Sequence, residues 1–108
     1  MTTTQIQSVA VTHEEKEIII QIIKKHIREE GALVLVFGSR YKGTHRPSSD
    51  LDLAIKSKTP LGLFTLDSIK YDFMESDIIY SIDILDYTKI SDNFKKIIDK
   101  GHDTWQIT

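Results

Sequence analysis

Cysteine is absent from the 108 residues, which removes disulfides and thiolate metal sites from consideration. No apolar run approaches the roughly 20 residues that a membrane-spanning helix needs. Basic charge is not in excess: the formal net charge is −2, so there is no footprint for nonspecific nucleic-acid binding. The opening stretch, MTTTQIQSV, lacks the basic-then-apolar layout of a secretion signal, and a cytoplasmic soluble protein is the expectation. Internal repeats, low-complexity tracts and interdomain linkers are also missing. What remains, 40% hydrophobic and 28% charged residues, is an ordinary globular composition. The length suits one domain with a modest core, and such a core gains from a partner.

Residues 1–11 carry no period and read as a loose arm, leaving 12–108 as the folded domain. Thr12 followed by Glu15 fits a capping box. Ile18, Ile19, Ile22, Ile23 and Ile27 then recur at helical spacing, and Gly31 supplies a stop, so a helix is predicted over 12–30. ALVLVF (32–37) is a short, branched, wholly apolar run: a strand buried on both faces. After Gly38, residues 39–43 read as one helical turn and THRPSS (44–49) as a loop. DLDLAIK (50–56) alternates like a strand. Pro60 opens a second helix with Leu63, Leu66, Ile69 or Lys70, and Phe73 on its inner side. IYSIDIL (79–85) reads as a third strand. Ser91 caps a last helix over 92–100 whose buried side holds Phe94, Ile97 and Ile98, with Gly101 ending it. The tail HDTWQIT reads as a short strand or a docked end, with Trp105 a core or partner contact. The order α-β-β-α-β-α predicts an α+β single domain, a mixed sheet flanked by helices.

Carboxylates stand out against this frame. Residues i and i+2 of a strand share a face, so Asp50 and Asp52 point one way while Leu51 and Leu53 enter the core. Neighbouring carboxylates repel, and each raises the other's pKa unless a cation sits between them. A hard divalent ion such as magnesium suits that arrangement, since it takes one or two carboxylates plus phosphate oxygens and water. Asp83 sits in the middle of an otherwise apolar strand and needs a cation, a hydrogen-bond partner or an exposed face. If the two strands are neighbours, three carboxylates converge, enough for a metal pair about 3.5–4 Å apart. D-x-D alone is also how a solvated strand start looks, and Asp83 alone fits an edge strand facing water. Asp86 reads as a turn residue.

Gly38 ends a buried strand and opens a helical turn. Backbone N–H groups at such a turn bind anions, and glycine lets a phosphate approach closely. Ser39 adds a hydroxyl donor, and Arg40 and Lys42 lie close enough in sequence to offset a triphosphate.

Taken together, G-S, ten intervening residues and then D-x-D resemble the signature of the DNA polymerase beta-type nucleotidyltransferase superfamily. FGSRYKG…SSDLDLAI followed by SIDILD is most similar to its minimal nucleotidyltransferases, stand-alone catalytic domains of about this length. The resemblance spans Leu33 to Asp86 by motif. It implies that Gly38, Ser39 and Arg40 bind the phosphates of a nucleoside triphosphate, with ATP as substrate, and Lys42 stands near enough in sequence to join them. It also implies that Asp50, Asp52 and Asp83 are the catalytic, magnesium-binding carboxylates for two ions. Asp83 would orient or deprotonate the acceptor hydroxyl. The implied reaction is attack of that hydroxyl on the α-phosphate, with pyrophosphate leaving. His45 and Arg46 depart from the family's usual small, acidic linker.

The family's minimal forms commonly pair with a small helical HEPN-type protein, as its antitoxin or as the catalytic half of an enzyme. By analogy the acceptor is a tyrosine of that partner. Two other functions stay open: an antitoxin that neutralises by contact alone, and an adenylyltransferase for a small molecule such as an aminoglycoside.

Overall fold

Thr12 starts the first helix as expected: its hydroxyl accepts from Glu15 N, and Glu15 Oε1 accepts from Thr12 N at 3.0 Å. The computed structural model describes residues 9–107. Its elements are α1 (His13–His26), β1 (Leu33–Phe37), α2 (Ser39–Lys42), β2 (Leu51–Lys56) and α3 (Leu63–Met74). β3 (Ile82–Asp86), a 3-10 turn (Tyr87–Lys89), α4 (Asp92–Lys100) and β4 (Asp103–Gln106) complete them. None of the described helices is long and apolar enough to cross a membrane.

The sheet order is β3-β2-β1-β4. β1 pairs antiparallel with both β2 and β4, whereas β2 and β3 run parallel. A parallel pair needs a crossover, and α3 supplies it. The sheet is therefore mixed and flanked by helices, the α+β architecture that the element order predicts.

The two sheet faces bury different material. Under α1 and α3, Ile19, Ile23, Ile69 and Phe73 pack with Val34, Val36, Leu51, Leu53, Ile55 and Ile84. Each such side chain contributes about 1.5–3 kcal/mol on burial. The face under α4 is smaller: Leu35, Phe37, Ala54, Tyr87 and Ile98, with Phe94 meeting Phe37 edge-on at 5.8 Å between ring centres. Trp105 is buried on the α1 side, with Lys16 Nζ 5.2 Å from its ring centre.

Element ends and side-chain facings depart from the sequence reading in several places. α1 stops at His26 rather than residue 30, because Ile27 turns extended and enters the core. Glu29, beyond it, accepts from Lys58 N and Thr59 Oγ1, anchoring the loop after β2. β3 begins at Ile82 rather than residue 79, and Ile79 is left in solvent. Leu63 and Ile97 lie on the outer sides of α3 and α4, not the inner ones. At the other end, Val9 is buried and Ala10 N donates to Arg40 O at 3.0 Å, so 9–11 pack on the domain. The rest of the expected arm, 1–8, lies outside the described residues.

Asp86 closes β3 structurally. It is buried, accepting from Leu61 N at 2.8 Å and from Thr88 N and Oγ1 at 3.0 and 2.7 Å. Its carboxylate thereby ties the end of β3 to the chain leading into α3.

Candidate active site

The parallel β2–β3 register sets Asp52 directly beside Asp83. Their neighbours Leu51, Leu53, Ile82 and Ile84 face the α1 side, so both carboxylates project from the opposite, α4 side. Asp52 also pairs across β1 with Phe37, the residue before Gly38. Three elements therefore meet at one corner: the end of β1, the start of β2 and the start of β3.

Asp52 is partly buried there, while Asp50 and Asp83 are exposed. Burial pushes the Asp52 carboxyl above the ordinary range, and the charges of Asp83 and Asp50 push it further. Among the described residues no Lys, Arg or His pairs with any of the three. The cluster is negative, desolvated on one member, and unneutralised by the described residues.

Gly38 is fitted to this corner. Its φ is +80° with ψ −161°, a backbone region that is essentially glycine-only. A Cβ placed on it would lie 2.1 Å from Asp52 Oδ2. Any side chain at position 38 would displace the carboxylate. Ser39 follows as the first residue of α2, whose first-turn N–H groups have no intrahelical acceptors. Lys42, at the far end of α2, is exposed.

Arg40, expected from the sequence to bind phosphate, makes its contacts inside the protein. Instead of reaching out towards phosphate, its side chain is buried. Nε donates to Ser49 O at 3.0 Å, Nη1 to Ala10 O at 2.9 Å and Nη2 to Pro47 O at 3.0 Å. The guanidinium lies 3.9 Å from the centre of the Tyr80 ring. Arg40 is a strut that fastens residues 10, 47 and 49 to α2 and so sets the approach to Asp50. Tyr80, which the sequence did not single out, completes it by donating to Glu15 Oε1 at 3.0 Å. Burial first, and then Glu15, push its phenol well above the ordinary range. No spacing rule links residues 10, 40, 49 and 80, so this hub was invisible in the sequence.

A divalent cation fits the donor set on chemical grounds. Hard carboxylate oxygens, the raised Asp52 and the lack of a counter-charge among the described residues all favour one. The three aspartates do not, as they stand, close into a ready group of metal ligands among the described residues. Magnesium does not require that, because it takes one or two carboxylates and completes its shell with substrate phosphates and water.

Known proteins bear on this corner. Residues 16–103 match the family described as "Polymerase beta, Nucleotidyltransferase". The chain is 37% identical over 97 residues to a probable protein adenylyltransferase, MntA, of Haemophilus influenzae, covering 90% of this chain and 83% of that protein. A crystal structure of a toxin-antitoxin with AMP-PNP superposes with a TM-score of 0.67 at 21% identity. That match covers 84% of this chain and 73% of the other, and at such identity it speaks for the fold alone. With the glycine-bounded turn, the D-x-D strand and Asp83 in one place, this chain belongs to the polymerase beta nucleotidyltransferases, as an enzyme of the minimal nucleotidyltransferase kind.

Proposed function

We propose that this enzyme transfers AMP from ATP to a hydroxyl of a partner protein, a tyrosine of a small helical HEPN-type toxin, and so acts as its antitoxin. The observation that carries the reading is the side-by-side placement of Asp52 and Asp83, unpaired with any cation among the described residues, next to Gly38. The similarity to a protein adenylyltransferase supports the class of acceptor. The cytoplasm is the proposed site of action, and residues 12–108 the catalytic unit.

Asp50, Asp52 and Asp83 would hold magnesium, two ions in the full site, whose charge would offset the carboxylates and polarise the α-phosphate. Ser39 and the first-turn amides of α2 would hold the terminal phosphates, with Lys42 adding positive charge. The acceptor oxygen attacks the α-phosphorus, and the bond to the oxygen bridging to the β-phosphate breaks. Pyrophosphate leaves, and the acceptor proton passes to the Asp83 carboxylate and on to water. The chain's own contribution is placement and charge, as in other phosphoryl transfers.

Incubation of the chain and its co-purified partner with α-labelled ATP and magnesium tests this. Label should appear on the partner and vanish with Asp50→Asn/Asp52→Asn. Full neutralisation of the partner by that double variant would establish contact alone as the mechanism. Aminoglycoside resistance conferred by the chain by itself would instead establish a small-molecule acceptor.

A further inference from the structure

Asp50, Asp52 and Asp83 repel one another, and they sit where β2 and β3 begin. Strand ends are where a sheet frays most easily, so something must hold these two starts together before any cation arrives. One link is in the backbone: Leu51 N donates to Ser81 O at 2.9 Å.

A second brace lies just ahead of both strands. Arg40 Nε holds the carbonyl of Ser49, the residue before Asp50, at 3.0 Å. The guanidinium lies 3.9 Å from the centre of the Tyr80 ring, and Tyr80 precedes Ser81 on the way to Asp83. Tyr80 is fixed in turn by α1, because its hydroxyl donates to Glu15 Oε1 at 3.0 Å. That same oxygen accepts from Thr12 N in the helix cap. A guanidinium presents donors at its edge and a flat face to aromatic rings. Here the edge serves the carbonyls of residues 10, 47 and 49 while the face lies on Tyr80. Tyr80 packs against the α1-side core, behind the sheet from the carboxylates. The brace therefore acts through the backbone and touches no reacting atom. Sites of this kind tolerate displacements of only about 0.5 Å.

We propose that Tyr80 is a positioning residue for the transferase site: through Arg40 and Glu15 it fixes the starts of β2 and β3, and with them the carboxylate spacing on which cation binding depends. The inference rests on the transferase reading, since it assigns what holds that reading's aspartates in place.

Two readouts on the full chain test it, and neither is turnover. The first is affinity for manganese(II), followed by the spin-resonance signal of the free ion. The second is hydrogen exchange of the Leu51 amide, followed by NMR without metal. Tyr80→Leu should weaken manganese at least fivefold and speed Leu51 exchange at least tenfold, more than it speeds the most protected amides of β1. Tyr80→Phe keeps the ring over Arg40 and should hold both quantities within twofold of wild type. Ile69→Val trims the buried core under α3, away from the brace, and should leave both as in wild type. Tyr80→Met, which fills space without offering a ring, is read in the same way and serves if the leucine variant does not fold. Wild-type manganese affinity or unchanged Leu51 exchange in the ringless variants overturns the proposal. Equal losses in Ile69→Val also overturn it, since they would mark general loosening. A wild-type chain that binds no manganese is a separate result that strikes the metal reading, and Leu51 exchange still decides whether Tyr80 braces the strand starts.

Discussion

The two faces of one strand follow opposite rules. On the α1 and α3 side, β2 contributes Leu51, Leu53 and Ile55, and the sheet is sealed along its length. On the α4 side the same strand contributes Asp52, Ala54 and Lys56, and only Ala54 joins the core. The second face gives up apolar burial at one end and gains a pair of like charges there. Stability is concentrated on one side of the sheet, and chemistry is carried by the other.

Five variants test that division. Asp83→Asn should lower label transfer by about 10³-fold, the scale expected when several kcal/mol of charge stabilisation is lost, with an unchanged circular dichroism spectrum. Leu53→Ala, one residue from Asp52 but on the sealed face, should cost about 2–5 kcal/mol in urea denaturation. Equal losses from both variants in both assays would erase the contrast between the faces.

Arg40→Lys comes next. Loss of the forked contacts to the carbonyls of residues 10, 47 and 49 should cost about 2 kcal/mol of stability. ATP affinity, measured well below the melting transition, should change little. A large drop in affinity at unchanged stability would return Arg40 to the phosphate role.

The smallest effects are pH-dependent and opposite in sign. The Asp52 carboxyl is raised, first by burial, so between the ordinary carboxylate value and the raised one the folded chain binds the proton more tightly. Stability contributed there falls as pH climbs through that window, and Asp52→Asn should raise the metal-free melting temperature at neutral pH. Asp72, on the α1–α3 side, is lowered, first by the hydrogen bond with His26 at 2.7 Å. Its contribution is present above the ordinary carboxylate value and is lost as pH falls through the lowered one. Asp72→Asn should flatten the acid limb of a melting curve.

Local chemistry was readable from the sequence wherever short-range rules decide. The Thr12–Glu15 cap and the strand that carries the D-x-D depend on neighbours within three residues, and both appear as expected. The helix order followed from periodicity. Long-range demands were not readable. α1 ends early because Ile27 is needed in the core, and Ile79 is apolar without being part of a strand. Arg40 looked like a phosphate ligand because its neighbours in sequence suggested one, while its partners in space are residues 10, 47, 49 and 80. The tail left two options open, and the structure makes it β4, an edge strand on β1.

The parallel pairing of β2 with β3 has a practical corollary. Sliding β3 by one position would turn Asp83 inward and drive Ile82 and Ile84 towards the wrong layer, so the error that spoils turnover also spoils solubility. In a library of random substitutions at Ile82 or Ile84, yield of working molecules should drop while the turnover of each survivor holds steady, so a simple active-site titration doubles as a census of correctly assembled chains.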